Sequence, residues 1–140
     1  MAFENPDREA IKDILKQANN VAVVGLSDKP DRTPHMVAAA MQSRGYRIIP
    51  VNPNADQILG EKCYASLTDI PDQVDIVDVF RRSEHTPPIA EEAARIKAKV
   101  LWLQQGVYNE EAAKIAQDGG LQVIMDRCIK VEDAVLNPKA

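Results

Sequence analysis

The chain has 140 residues, of which 45% are hydrophobic, 27% charged and only 4% aromatic, and its formal net charge is −4. This predicts one domain, residues 1–140, of ordinary soluble composition with a core mostly of Val, Ile, Leu and Ala. The acidic balance argues against a general nucleic-acid binder, and no apolar stretch approaches the ~20 residues of a membrane span.

The polar start Met1–Asp7 lacks the basic-then-apolar pattern of a secretion signal, so the expected location is cytoplasmic. An N-terminal helix is expected within residues 1–20, entered at Asn5-Pro6. From there the chain repeats one theme, a short apolar strand followed by a helix start. The expected strands are Val21–Gly25, Tyr46–Val51, Val74–Phe80, Val100–Leu103 and Leu121–Met125. Most are nearly continuous in apolar residues, which fits strands covered on both faces.

Thr33-Pro34 and Thr86-Pro87 place a capping hydroxyl before a proline, as Asn5-Pro6 places an amide. Ser66 to Asp69 has the spacing of a capping box, and Asn109 precedes two glutamates at another helix start. Met36, Val37, Ala40 and Met41 form one apolar stripe, and Ala112, Ile115 and Ala116 another. Val131 to Leu136 reads as a last short helix in the tail 129–140, stopped at Asn137-Pro138.

Alternating strands and helices with short connections predict a Rossmann-like, doubly wound α/β fold with a five-stranded, mainly parallel sheet and helices on both faces. The expected strand order is 3-2-1-4-5, counting the five strands along the chain. In such sheets ligands bind where the strand order reverses, at the carboxyl ends of the strands. That centres attention on Gly25–Ser27, on Asn52-Pro53, on Phe80-Arg81-Arg82, on Gln105-Gly106 and on Asp126-Arg127-Cys128.

A nicotinamide dinucleotide site calls for G-x-G-x-x-G and an acidic residue near the end of the second strand. Here Gly25 is followed by Leu26, Ser27 and Asp28, and the second strand runs out into Asn52-Pro53-Asn54. A Walker loop is also missing. What stands in their place is a polar loop, Ser27 to Arg32, leading into a helix N-terminus that suits an anion. Read by itself, that loop fits an exposed, charged turn equally well.

Taken in order, "VAVVGLSDKPDRTPH", "GYRIIPVNPN", "CYASLTDIP", "VDIVDVFRR", "LWLQQGV" and "DRC" resemble the small single-domain CoA-binding proteins. These share the CoA-binding Rossmann-like domain of the succinyl-CoA synthetase alpha subunit, and the likeness runs from about Val21 to Cys128. The resemblance implies coenzyme A, or an acyl-CoA, as the ligand. It assigns the phosphate portion to Gly25, Leu26, Ser27, Lys29 and Arg32 with the helix start at Thr33-Pro34, and the adenosine side to Asn52 and Pro53. An amide at Asn52 suits a ribose bearing a 3′-phosphate, which a carboxylate would repel.

Phe80 is a candidate to pack on the adenine or the pantetheine arm, and Arg81 to reach a phosphate, with surface solvation or an ion pair to Glu84 as the plainer reading of the arginines. The synthetase subunit has prolines at that point. Gln105 and Gly106 are candidates for the pantetheine, with a simple turn as the alternative, and Trp102 is assigned to the core. The two cysteines form no C-x-x-C and are expected to be free thiols; with only His35 and His85 beside them, no zinc site is expected.

Cys128 is either a small buried residue or a thiol that meets the CoA thiol in a mixed disulfide, with Arg127 beside it. Neither histidine shows a nucleophile or carboxylate partner, so no catalytic set is evident. The synthetase's phosphohistidine belongs to a second domain and is not carried over. The expected function is therefore non-catalytic CoA binding, with a possible homodimer. The competing readings are an NAD(P)-binding or redox-sensing module and the CoA-binding component of an acyl-CoA ligase complex.

Overall fold

The computed structural model describes residues 3–136 and 138–139. The expected α/β architecture is present as a five-stranded, wholly parallel sheet: β1 Asn20–Val24, β2 Arg47–Val51, β5 Ile76–Val79, β6 Val100–Leu103 and β7 Gln122–Ile124. A small antiparallel hairpin, β3 Gln57–Ile58 with β4 Glu61–Lys62, follows β2. Five helices complete the fold: α1 Arg8–Gln17, α2 Thr33–Ser43, α3 Thr86–Arg95, α4 Glu110–Asp118 and α5 Ile129–Leu136. Among the described residues no helix is long and apolar enough to cross a membrane.

The strand order is β2-β1-β5-β6-β7, so the expected order 3-2-1-4-5 is corrected to 2-1-3-4-5 along the chain. The reason lies in the connection after β2. It carries no crossover helix of α type, only the hairpin and a 3-10 turn at Leu67–Asp69. Leu67, Ile70 and Val74 pack with Ala22, Val24, Ile49 and Val51, so the connection crosses the face opposite α2 and delivers β5 to the free side of β1. Right-handedness is kept because the direction of travel and the covering face reverse together. The switch point thereby falls between β1 and β5, two strands whose following loops are now neighbours.

Each sheet face buries its own apolar set. Leu15, Val21, Val23, Val37, Met41, Ile76, Trp102 and Ile129 pack on the side of α1, α2 and α5. Val77, Val79, Ala90, Ala93, Leu101, Leu103, Ala112 and Ala116 pack on the side of α3 and α4. Trp102 is in the core as expected, and its Nε1 donates to the Arg127 carbonyl at 2.9 Å. One residue breaks the apolar rule: Asp78 on β5 is 1% exposed, and its Oδ1 has no hydrogen-bond partner among the described residues. Burial pushes its carboxyl well above the usual carboxylate range.

Several expected caps are corrected. Asp7, not Asn5, caps α1, accepting from the Ala10 N–H at 2.9 Å. Asn5 is engaged elsewhere, exchanging 2.8 Å hydrogen bonds with the Met125 backbone in both directions. Thr33 and Thr86 are first helical residues rather than caps, and neither α2 nor α3 has a side-chain cap. The Thr86 hydroxyl donates back to the Ser83 carbonyl. At Ser66 the hydroxyl meets the Asp69 carboxylate instead of a backbone N–H, and the segment is only a 3-10 turn. Asn109 does cap α4, accepting from Ala112 at 2.8 Å.

The stripe on α2 is Val37, Ala38 and Met41, since Met36 is 52% exposed. Ala112 and Ala116 are buried on α4 with Ile115 partly so. The tail helix is present as α5, while the stop expected at Asn137-Pro138 involves Asn137, which lies outside the described residues. At the inner end of the fold Tyr46 donates to Asp133 at 2.6 Å, and Arg44 pairs with the same carboxylate at 3.3 Å, fastening α5 to the rest.

Candidate functional site

The turn after β1 is built around Gly25. Its φ of +86° lies in the left-handed region, and a Cβ there would stand 2.4 Å from the Phe80 carbonyl oxygen. Only glycine satisfies both demands. The chain then buries the Leu26 side chain completely, so that Leu26 can serve a ligand only through its backbone. Ser27 accepts from the Lys29 N–H through Oγ at 3.1 Å, and the Ser27 carbonyl accepts from the His35 ring Nδ1 at 2.9 Å. Lys29, Arg32 and Thr33 are exposed, and the start of α2, with Pro34 in its first turn, brings no capping side chain. Backbone N–H groups at such a start are available to an anion.

From β2 comes Asn52, whose amide is used at both ends. Nδ2 donates to the Leu26 carbonyl at 2.9 Å, and Oδ1 accepts from the Asn54 N–H at 2.7 Å. The residue expected at the adenosine side thus also ties the loop after β2 to the turn after β1. Pro53 is exposed beside it.

Three depressions run along the carboxyl ends of the strands. One, of about 290 Å³, is lined by Gly25, Ser27, Asn52, Pro53, Asn54 and Arg81, among others. A second, of about 310 Å³, is lined by Gly25, Ser27, Lys29, Arg32 and Pro34. The third, of about 490 Å³, takes in Thr33, Phe80, Arg81, Gln104, Gln105 and Cys128. Gly25 and Ser27 join the first to the second, and Arg81 joins the first to the third.

The charge lining the three depressions is one-sided: Lys29, Arg32, Arg81 and Arg82 line them and no Asp or Glu does, while Asp28 and Asp31 stand exposed in the same loop outside the lining. Among the described residues none of the four makes an ion pair; the pairs found are those of Arg44, Arg47, Lys99 and Lys114. The ion pair considered for the arginines with Glu84 is therefore not formed. At the opposite end of the sheet a depression of about 240 Å³ includes Asp13, Asp75 and Lys99, and shows no such bias.

Of the expected residues, Gly25, Leu26, Ser27, Lys29, Arg32, Thr33, Pro34, Asn52, Pro53, Phe80, Arg81 and Gln105 line the three depressions. Gly106 does not. Its N–H donates to Asp126 Oδ1 at 2.7 Å, so it joins the loops after β6 and β7. Arg127 turns its guanidinium to the Asp126 carbonyl at 2.8 Å and lines none of the three.

Gln104 lines the third depression and was not among the expected residues. It is 4% exposed, and its Oε1 accepts from the Ile129 N–H at the start of α5 at 3.1 Å. Strand alternation places it on the face of Trp102, which the doubled "QQ" in the sequence leaves ambiguous by one residue.

The two thiols differ in setting. Cys128 is half-buried at the third depression. Cys63 lies beyond the hairpin, where burial and then the carboxylates of Asp56 and Asp28 push its thiol upward. Among the described residues no group of three or more His, Cys, Asp or Glu side chains is arranged to hold a metal ion.

Comparison with known proteins gives a consistent picture. A family model described as a CoA binding domain matches residues 19–134. The Bacillus subtilis protein YneT is 54% identical over 133 residues, covering 95% of this chain and 98% of that protein. A solved structure of a Pyrococcus horikoshii protein is 38% identical with a TM-score of 0.91, covering 98% of this chain and 99% of that one. The ADP-forming acetate–CoA ligase II of Archaeoglobus fulgidus is 34% identical over 100 residues, 70% of this chain but only 15% of the ligase.

Proposed function

The chain belongs to the CoA binding domain family, and from that premise we propose that it binds coenzyme A or an acyl-CoA without a chemical step of its own. In this reading the pyrophosphate sits at Gly25–Ser27 and the start of α2, held by Lys29, Arg32 and Arg81. The adenosine lies toward Asn52 and Pro53, and the pantetheine arm passes Phe80 toward Gln105. The observation that carries it is the charge of the lining: four cations that make no ion pair among the described residues, with no Asp or Glu lining the same depressions, on a protein of net charge −4. A polyphosphate ligand uses that charge, and an uncapped helix start adds to it.

Calorimetric titration with CoA, 3′-dephospho-CoA and NAD tests the reading. CoA is expected to bind tightest and to raise Tm most. Tighter binding of NAD, or no binding of CoA, overturns it. The NAD(P) module is disfavoured by the missing glycines after Gly25 and by Asn52 where an acid would stand.

A role as the CoA-binding part of a larger ligase assembly draws support from the ligase relatives, whose remaining length has no counterpart in this chain. Isolation with a nucleotide-binding partner chain favours that role; a CoA-loaded species on its own favours the simple binder. Native mass spectrometry also reads whether Val131 and Val135, exposed one turn apart on α5, support a homodimer. A cytoplasmic location, where CoA and free thiols coexist, fits both free cysteines.

A further inference from the structure

Among the described residues Asp78 makes no hydrogen bond that explains it. It stands in the middle of the sheet, flanked in register by Val23 on β1 and Trp102 on β6, and its Oδ1 is fully buried without a hydrogen bond among the described residues. Such a group costs stability wherever it is left unsatisfied. Alternation along β5 puts Ile76, Asp78 and Phe80 on one face.

One step toward the carboxyl edge, Phe80 donates its N–H to Val24, and Gln104 donates its own to Val79, so Phe80 and Gln104 form the row directly above Asp78 and Trp102. That row lines the third depression. Phe80 is only half-buried there. The unsatisfied acid therefore lies one layer below the floor of the site, behind a side chain that itself borders the depression.

We propose that Asp78 is the hydrogen-bond donor of a polar subsite behind Phe80, which takes a neutral carbonyl from the outer end of the bound ligand. The inference rests on the CoA reading above and sharpens it to a ligand class. Two sources share that chemistry, the amide carbonyls of the pantetheine arm and the thioester carbonyl of an acyl group. A carboxylic acid buried among apolar side chains suits either acceptor. When the carbonyl enters, the acid gains the partner it lacks, and Gln104 remains fixed by its bond to the start of α5.

The test compares adenosine 3′,5′-bisphosphate, CoA and acetyl-CoA on the wild type, D78N and D78V by calorimetry, with Tm measured for each empty protein. D78V removes the unsatisfied group at nearly constant size, and it is expected to raise Tm by about 3 °C or more. It is expected to weaken acetyl-CoA about tenfold while leaving the bisphosphate within about twofold. D78N keeps a donor and is expected to hold acetyl-CoA within about threefold of the wild type.

A loss confined to acetyl-CoA assigns the thioester carbonyl; an equal loss for CoA assigns the arm. The inference is overturned if D78V leaves all three affinities unchanged, weakens the bisphosphate as much as acetyl-CoA, or fails to fold. Failure of the wild type to bind both CoA and acetyl-CoA removes the CoA reading itself, which the wild-type arm reports separately.

Discussion

Asn52 Nδ2 donates to the Leu26 carbonyl oxygen at 2.9 Å, so a side chain from the end of β2 sets the peptide plane of the turn after β1. That plane decides which way the N–H groups around Ser27 face. The bond makes Asn52 a positioning residue as well as a candidate contact.

Asn52→Ala is expected to weaken CoA about fivefold to tenfold, the worth of one hydrogen bond between neutral groups. Asn52→Asp is expected to do more harm, since a carboxylate has nothing to donate to Leu26 and adds negative charge beside a phosphate. Calorimetry on both variants checks the order. An aspartate variant that binds as well as the wild type contradicts it.

Gly25→Ala meets two obstacles together, a positive φ and a Cβ 2.4 Å from the Phe80 carbonyl oxygen. Backbone must move to admit the methyl, and the expected loss is about 1–3 kcal/mol of stability together with CoA binding. Chemical denaturation and a binding titration measure the two losses side by side.

Arg81 borders both the depression at Asn52 and the depression at Cys128. Arg81→Ala is expected to weaken CoA about tenfold at low salt and to flatten the dependence of affinity on ionic strength, because a removed charge can no longer be screened. Titrations at two salt concentrations show whether both effects occur. A loss of affinity with unchanged salt dependence assigns Arg81 to packing.

Cys128 opens onto the third depression, whereas Cys63 lies apart from it with its thiol pushed upward by burial and by Asp56 and Asp28. Incubation with CoA disulfide is expected to modify Cys128 first. Its thiolate attacks one sulfur, the disulfide bond breaks, and one CoA leaves as thiolate. Mass spectrometry without reductant reads the site. Modification of Cys63 ahead of Cys128 contradicts the geometry.

Asp78 gives the protein a pH signature. Its folded-state pKa is raised by burial, so the folded form holds this proton more tightly than the unfolded chain does. The contribution to stability is complete below the unfolded value of about 4 and is lost as pH rises toward the folded value. Asp78→Asn titrates in neither state. Its stability relative to the wild type is expected to climb as pH rises from about 4, and denaturation at several pH values measures that difference. A constant difference means that Asp78 does not titrate differently on folding.

All five sheet strands were readable in the sequence because each is a short apolar run covered on both faces. Their order was not, because alternation records which face a residue meets and not which strand lies beside it. The clue was indirect: the segment from Asn52 to Asp75 lacks the amphipathic helix that a second crossover on the α2 face would require.

Site residues on the turns were legible because glycine, proline and cations mark strand ends. Gln104 escaped because two adjacent glutamines differ only by the side of the sheet they face. Asp78 escaped although it interrupts an apolar run. The threonines before Pro34 and Pro87 misled because each helix begins one residue earlier than the capping pattern implies.

No side chain closes the first turn of α2, so its backbone N–H groups are left to water unless an anion takes them. An anion settling there secures the fold as well as occupying it. Supply of the ligand and persistence of the folded chain are then expected to rise and fall together, so that starvation for the ligand shortens the protein's lifetime before any change in its synthesis.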